Sequence, residues 1–98
     1  MNDADWVLHH ISAGPARLRT RVLECWEAAP SAAPLAERLA EAGRRALAGV
    51  VAHPGDREAA LDLLAADALI TLALLARAEA EPEELGEFAA ALVRASAA

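Results

Sequence analysis

The side chains best suited to chemistry in this chain are three histidines, one cysteine, a cluster of arginines and a carboxylate within an apolar segment. His9 and His10 are adjacent, so on a helix their rings point about 100° apart and would not bind one metal ion together. The sequence contains neither His-x-x-x-His nor Glu-x-x-His spacing, which are the usual helical arrangements of metal ligands. We therefore predict no metal site and no cofactor.

Three arginines, Arg17, Arg19 and Arg21, follow Gly14-Pro15 at the start of a predicted helix, where positive charge opposes the helix dipole. One interpretation is a site for a small anionic ligand, with free backbone N–H groups, Arg17 and Arg21 binding a phosphate or carboxylate near His10. The other is ion pairing with carboxylates in the second half of the chain. The second is favoured, because alternate residues do not share one helix face.

The stretch His10-Ile11-Ser12-Ala13-Gly14-Pro15 places a proline five residues after a helical histidine. This spacing resembles the phospho-acceptor box of histidine kinase dimerisation domains, and residues 74–80 are similar to the end of the second helix in that family. The family normally has an acidic residue directly after the histidine, where this chain has Ile11. The resemblance implies an alternative function, a histidine phosphotransfer-like domain with His10 as the acceptor.

Two further residues need an explanation. Asp67 lies in the middle of the most apolar segment, so we expect a polar residue in the core that is paired with Thr71 or an arginine, or that lies in a subunit contact. Cys25 follows Val22 on an apolar stripe, which is ordinary placement for a core thiol. Neither residue has an evident catalytic partner, so no catalytic residue is predicted and an enzyme is the less favoured interpretation.

The elements that must position these residues are helices. The chain has 98 residues, no tyrosine and one phenylalanine, and is rich in Ala, Leu, Arg and Glu, which predicts a single all-α domain over residues 1–98. Prolines and glycines divide it into segments at about 4–13, 16–28, 31–51, 56–80 and from Pro82 onward. The predicted N-caps are Asn2 or Asp3, Ser31 and Asp56. The first two segments stay in phase across Gly14-Pro15, so one kinked helix is an alternative to the favoured break.

The segment at about 56–80 carries leucines that point in every direction around a helix, so we expect it to be central and buried all round. In so short a chain, either the other helices wrap it completely or part of its surface faces a second subunit. The second interpretation is favoured. The sequence therefore predicts a compact bundle of four to five helices that forms a homodimer.

The charge pattern excludes some partners. The net charge is −6, and residues 54–98 contain nine acids and three arginines. This balance disfavours nucleic acid and anionic lipid, and a basic protein is a second expected type of partner.

No apolar stretch reaches the roughly 18 uncharged residues of a membrane span, and the N-terminus is acidic, so we expect a cytoplasmic protein. Nine arginines without a lysine are typical of GC-rich bacteria. The function predicted is a small non-enzymatic bacterial interaction or regulatory module that acts through helix–helix contacts.

Overall fold

The computed structural model describes residues 2–30 and 32–97, and over these ranges the regular structure is entirely helical. A single 3₁₀ turn at Pro82–Glu84 leads into the last helix. The prediction of an all-α fold with four to five helices is confirmed, and five helices are present among the described residues. The helices are α1 (Asp3–Ile11), α2 (Ala16–Ala28), α3 (Leu35–Ala52), α4 (Arg57–Ala80) and α5 (Leu85–Ala97).

Two of the predicted N-caps are confirmed by hydrogen bonds. The Asn2 side chain accepts a hydrogen bond from the backbone N–H of Asp5 at 2.8 Å, and the Asp56 carboxylate accepts one from the N–H of Glu58 at 3.1 Å. Each bond satisfies an N–H group that has no partner within the first helical turn. Ser31 lies outside the described residues, and α3 begins directly after Pro34.

The chain breaks between α1 and α2, so the alternative of one kinked helix is wrong. The N–H of Gly14 donates to the carbonyl of Ile11 at 3.0 Å, which closes a tight turn. The Arg19 guanidinium then donates to the carbonyl oxygens of Gly14 at 2.9 Å and Ser12 at 3.3 Å. Arg19 therefore satisfies carbonyl groups that the end of α1 leaves without a helical partner.

An antiparallel pair formed by α3 and α4 is the centre of the fold, and α2 and α5 pack against it. The turn between the two helices contains Gly55 at φ +86°, a left-handed conformation that glycine adopts without steric cost. The helices are close together at Gly43, where a Cβ atom would lie 3.3 Å from Leu69 Cβ and 2.8 Å from Ile70 Cγ1. Small residues on α3 therefore set the distance between the two central helices.

The position of α4 at the centre is confirmed, but the alternative in which the other helices of the chain wrap it completely is wrong. Its buried side chains lie on one face, and the opposite face is open to solvent. The other described helices cover α4 mainly on the sides of α2, α3 and α5, and α1 reaches the end of α4 through Trp6. The buried residues are Ala65, Ala66, Leu69, Leu72, Ala73 and Ala76.

By length and composition α4 also qualifies as a segment that could cross a membrane, and one third of its most apolar window is buried in this fold. Core helices of globular domains pass the same test, so a single such helix is weak evidence for a span.

Arg77 joins three elements through a largely buried side chain. Its side chain is 11% exposed and lies 3.5 Å from Glu37 on α3, 2.6 Å from Glu81 and 3.6 Å from Glu84. The guanidinium also lies 4.5 Å from the ring centre of Phe88 on α5, a cation–π distance. This arginine therefore connects α3, α4 and the start of α5 around one charge.

Arg38 makes the equivalent connection between α3 and α2. Its guanidinium lies 3.6 Å from the centre of the buried Trp26 ring and donates a hydrogen bond to the Trp26 carbonyl at 2.9 Å. The planar guanidinium therefore stacks on the Trp26 ring and also donates to a carbonyl group near the end of α2.

Candidate functional site

The exposed side of α4 carries more exposed large hydrophobic side chains than any other described helix. Leu63, Leu64 and Leu75 are 51%, 55% and 37% exposed, and Leu74 is half-buried beside them. Asp67 and Thr71 lie between the two leucine pairs. We name this surface the outer face of α4, and it consists of Ala60, Leu63, Leu64, Asp67, Thr71, Leu74, Leu75 and Ala78.

The residue sizes on α4 explain why leucines remain outside. The buried face is mostly alanine, which lets α3 approach closely and leaves little volume for large side chains. Leucines at 63, 64, 74 and 75 fall on the opposite side of the helix from that alanine line. The alanine line is visible in the sequence and marks the buried side of the helix, so it is the signal that would have identified the outer face.

The outer face borders an apolar groove between α4 and the pair α1–α2. The groove has a volume of about 280 Å³. Leu18, Val22 and Leu72 are among its apolar residues, and Asp67 and Thr71 contribute both to the groove and to the outer face. The two surfaces are therefore continuous.

His10 lies at the edge of this groove and is exposed. Its ring centre is 4.0 Å from that of Trp6, and its Nδ1 is 2.8 Å from the Trp6 carbonyl oxygen, so Nδ1–H donates to that carbonyl. The Trp6 indole N–H in turn donates to Glu79 at 3.0 Å, which joins α1 to the end of α4. One ring nitrogen and one ring face of His10 are thus occupied by Trp6 of the same helix.

Arg17 and Arg21 lie in a different place, on an open depression between α2 and the start of α4. Arg21 contacts Glu58 at 2.6 Å and Asp62 at 3.3 Å, and Arg17 lies 3.6 Å from Glu58. The predicted ion pairs between these arginines and the acidic second half are confirmed. The structure therefore does not bring the two arginines together with His10, and carboxylates already balance their charge.

Asp67 is exposed, so the prediction of a polar residue in the core is wrong. Among the described residues no ion pair reaches its carboxylate, and water solvates the charge that the sequence seemed to bury. The reason is its place on the outer face, which was expected to be covered. Its carboxylate interrupts an otherwise apolar stripe.

Cys25 is half-buried between α2 and the central helices and belongs to another small depression, which Arg21 and Asp62 also line. Burial raises the pKa of the Cys25 thiol above its ordinary value, and the negative charge of Asp62 raises it further. A raised pKa lowers the thiolate fraction at neutral pH, which is the opposite of what a nucleophilic cysteine requires. His10 lines a different groove, so the two residues do not form a nucleophile–base pair.

Across residues 2–30 and 32–97, no three His, Cys, Asp or Glu side chains form a group that could hold a metal ion. Comparison of the chain with protein-family models, with curated proteins and with solved structures gives no match.

Proposed function

We propose that this chain is a non-enzymatic protein–protein interaction module that acts by helix–helix contact through the outer face of α4, with a second copy of the chain as its partner. One observation supports this proposal above the others. Leu63, Leu64 and Leu75 are exposed along one face of the helix that forms the centre of the fold. Contiguous apolar patches of up to a few hundred Å² on a protein surface are often contact surfaces.

The expected strength of the contact follows from the exposed area. Complete burial of one leucine side chain contributes about 1.5–3 kcal/mol, and these leucines are already about half-buried. Two copies together would bury six such side chains, while association costs about 4–15 kcal/mol of lost freedom. We therefore expect a reversible association and not a permanent one.

The alternative function, a phosphotransfer or anionic-ligand domain that uses His10 with Arg17 and Arg21, has less support. The arginines contact Glu58 and Asp62, and they lie on a different depression from His10. An anion at the arginines would compete with carboxylates that are already bound there. The leucine stripe has no such competitor among the described residues.

Size-exclusion chromatography with light scattering on two matched double variants tests the proposal. Leu64→Glu with Leu75→Glu adds two charges to the outer face. Val51→Glu with Val93→Glu adds the same charges at side chains that are 73% and 68% exposed on α3 and α5. We expect the first variant to elute as a 10.2 kDa monomer and the control to associate as the unmodified chain does. Equal loss of association in both variants, or loss in neither, would contradict the proposal, and circular dichroism checks that each remains helical.

A further inference from the structure

The outer face of α4 has nearly the same order of residue types from either end of the helix. Taken from the N-terminal side it runs Ala60, Leu63, Leu64, Asp67, and taken from the C-terminal side it runs Ala78, Leu75, Leu74, Thr71. The members of each pair are equally distant in sequence from Leu69, which is fully buried against α3 and marks the midpoint. Only the central pair, Asp67 and Thr71, differs in residue type. In an antiparallel pair centred at Leu69, each leucine of this face would therefore lie level with a leucine of the other copy.

We infer that two copies associate with their α4 helices antiparallel, about a two-fold axis that passes at the level of Leu69. A two-fold interface uses one patch on both subunits, so residue i contacts residue j and residue j contacts residue i. In this arrangement Leu63 lies opposite Leu75 of the partner subunit, and Leu64 lies opposite Leu74 of the partner subunit. This inference rests on the self-association proposed above and adds its direction and register.

Asp67 and Thr71, the one pair of this face that differs in residue type, can form a hydrogen bond with each other. At a rise of about 1.5 Å per residue, the two Asp67 carboxylates are offset by about 6 Å along the helix axes. Each lies beside Thr71 of the partner subunit, whose hydroxyl donates a hydrogen bond to the carboxylate. The polar pair therefore lies at the centre of the interface, where it gives Asp67 a partner that it does not have within one described chain.

Charges at the two ends fit the same register. Arg57 at the start of α4 and Glu81 just after its end are also equally distant from Leu69. Antiparallel pairing therefore brings Arg57 near Glu81 of the partner subunit at both ends of the stripe, where Glu81 also contacts Arg77 of its own chain. A parallel arrangement would instead place Arg57 beside Arg57, Asp67 beside Asp67 and Glu81 beside Glu81. Charge complementarity thus selects the antiparallel direction.

The area of the face predicts a weak dimer. The stripe from Ala60 to Ala78 is about 27 Å long at the rise of an α-helix, and a helix with its side chains is about 10 Å wide. The resulting footprint of roughly 270 Å² is well below the roughly 800 Å² that each partner buries in a standard stable interface. We expect a dimer with a dissociation constant in the micromolar range or higher. Covalent trapping can capture such a dimer.

Disulfide trapping with single-cysteine variants tests the direction and register. In a Cys25→Ala background, Leu63→Cys and Leu75→Cys are oxidised separately and as an equimolar mixture at about 0.5 mM protein. The two-fold axis separates the two copies of residue 63 by about 18 Å, so neither variant should cross-link alone. The mixture brings residue 63 opposite residue 75, and we expect at least about ten times more covalent dimer than in either variant alone. Val51→Cys mixed with Val93→Cys controls for random collision, because both positions are more exposed.

The other results separate the inference from the proposed function. Cross-linking of each variant alone, at the level of the mixture, would overturn the antiparallel register and leave self-association through α4 standing. A mixture that cross-links no more than the valine control, in a protein whose mass nonetheless rises with concentration, would place the interface elsewhere. A mixture without cross-links in a protein that stays monomeric would overturn both.

Discussion

Replacing Gly43 by alanine tests the close contact at the centre of the fold. In a helix interior, a change from glycine to alanine alone stabilises the folded state by about 1 kcal/mol. At Gly43 the added Cβ would meet Leu69 Cβ at 3.3 Å and Ile70 Cγ1 at 2.8 Å. The Ile70 atom can move by side-chain rotation, but the Leu69 atom is attached directly to the backbone of α4. Relief therefore requires α3 and α4 to separate slightly along their whole contact.

Overpacking of this kind costs about 1–3 kcal/mol, so the net effect of Gly43→Ala is a loss of about 0–2 kcal/mol. Gly49 provides a matched control on the same helix, because a Cβ there would meet nothing within 4 Å. Gly49→Ala should therefore stabilise the protein by up to about 1 kcal/mol. The difference between the two variants, about 1–3 kcal/mol, corresponds to at least about 4 °C in melting temperature for a domain of this size.

Thermal unfolding followed by circular dichroism at low micromolar protein, where association contributes little, measures this difference. Gly43→Ala should melt below Gly49→Ala, at or below the unmodified chain. Equal stabilisation by both substitutions would refute the close approach of α3 and α4 at this residue. It would also remove the reason for placing the alanine line of α4 inside and its leucines outside.

Three other predictions concern single side chains. Arg77→Met should lower the unfolding free energy by about 1–3 kcal/mol, because it leaves three carboxylates without their shared cation. The control Arg94→Met on α5 should change it by less than about 0.5 kcal/mol. Urea denaturation measures both. Hydrogen bonds from Arg44 and Arg45 lower the pKa of Glu41. Its charged form therefore stabilises the fold at neutral pH, and that stabilisation is lost as the pH falls through the lowered pKa. Glu41→Gln should therefore cost about 0.5–1 kcal/mol at pH 7 and progressively less in acid, and a constant cost would contradict the ion pairs. Burial and the negative charge of Asp62 raise the pKa of Cys25. A thiol-specific disulfide reagent should therefore react with it at pH 8 at least about ten times more slowly in the folded protein than in urea. Equal rates would show that the folded chain leaves the thiol accessible to the reagent.

The helices themselves could be predicted from sequence because their signals are local. Asn2 and Asp56 precede helix starts as good N-caps, and proline and glycine separate the apolar repeats. The ends of α4 were predicted to within one residue for this reason. Local chemistry sets where a helix begins and ends, and it does not depend on which helix becomes its neighbour.

The faces of the helices could not be predicted in the same way, because tertiary packing decides them. Asp67 appeared buried only because leucines surround it in sequence, whereas the alanine face of α4 packs on α3 and leaves Asp67 in water. Arg77 and Arg38 were not singled out, since their importance comes from carboxylates and aromatic rings that are distant in sequence. Ion pairing of Arg17 and Arg21 was predicted from charge balance, but the identities of their partners were not.

The mass of the unmodified chain as a function of concentration tests the central proposal most directly. Sedimentation equilibrium from about 10 µM to 1 mM should show the average mass rising from 10.2 kDa toward about 20 kDa. The rise should change little between about 0.05 and 0.5 M salt, because leucine side chains supply most of the contact. A mass of 10.2 kDa at every concentration would contradict self-association through α4, and growth well beyond a dimer would contradict a closed two-fold interface.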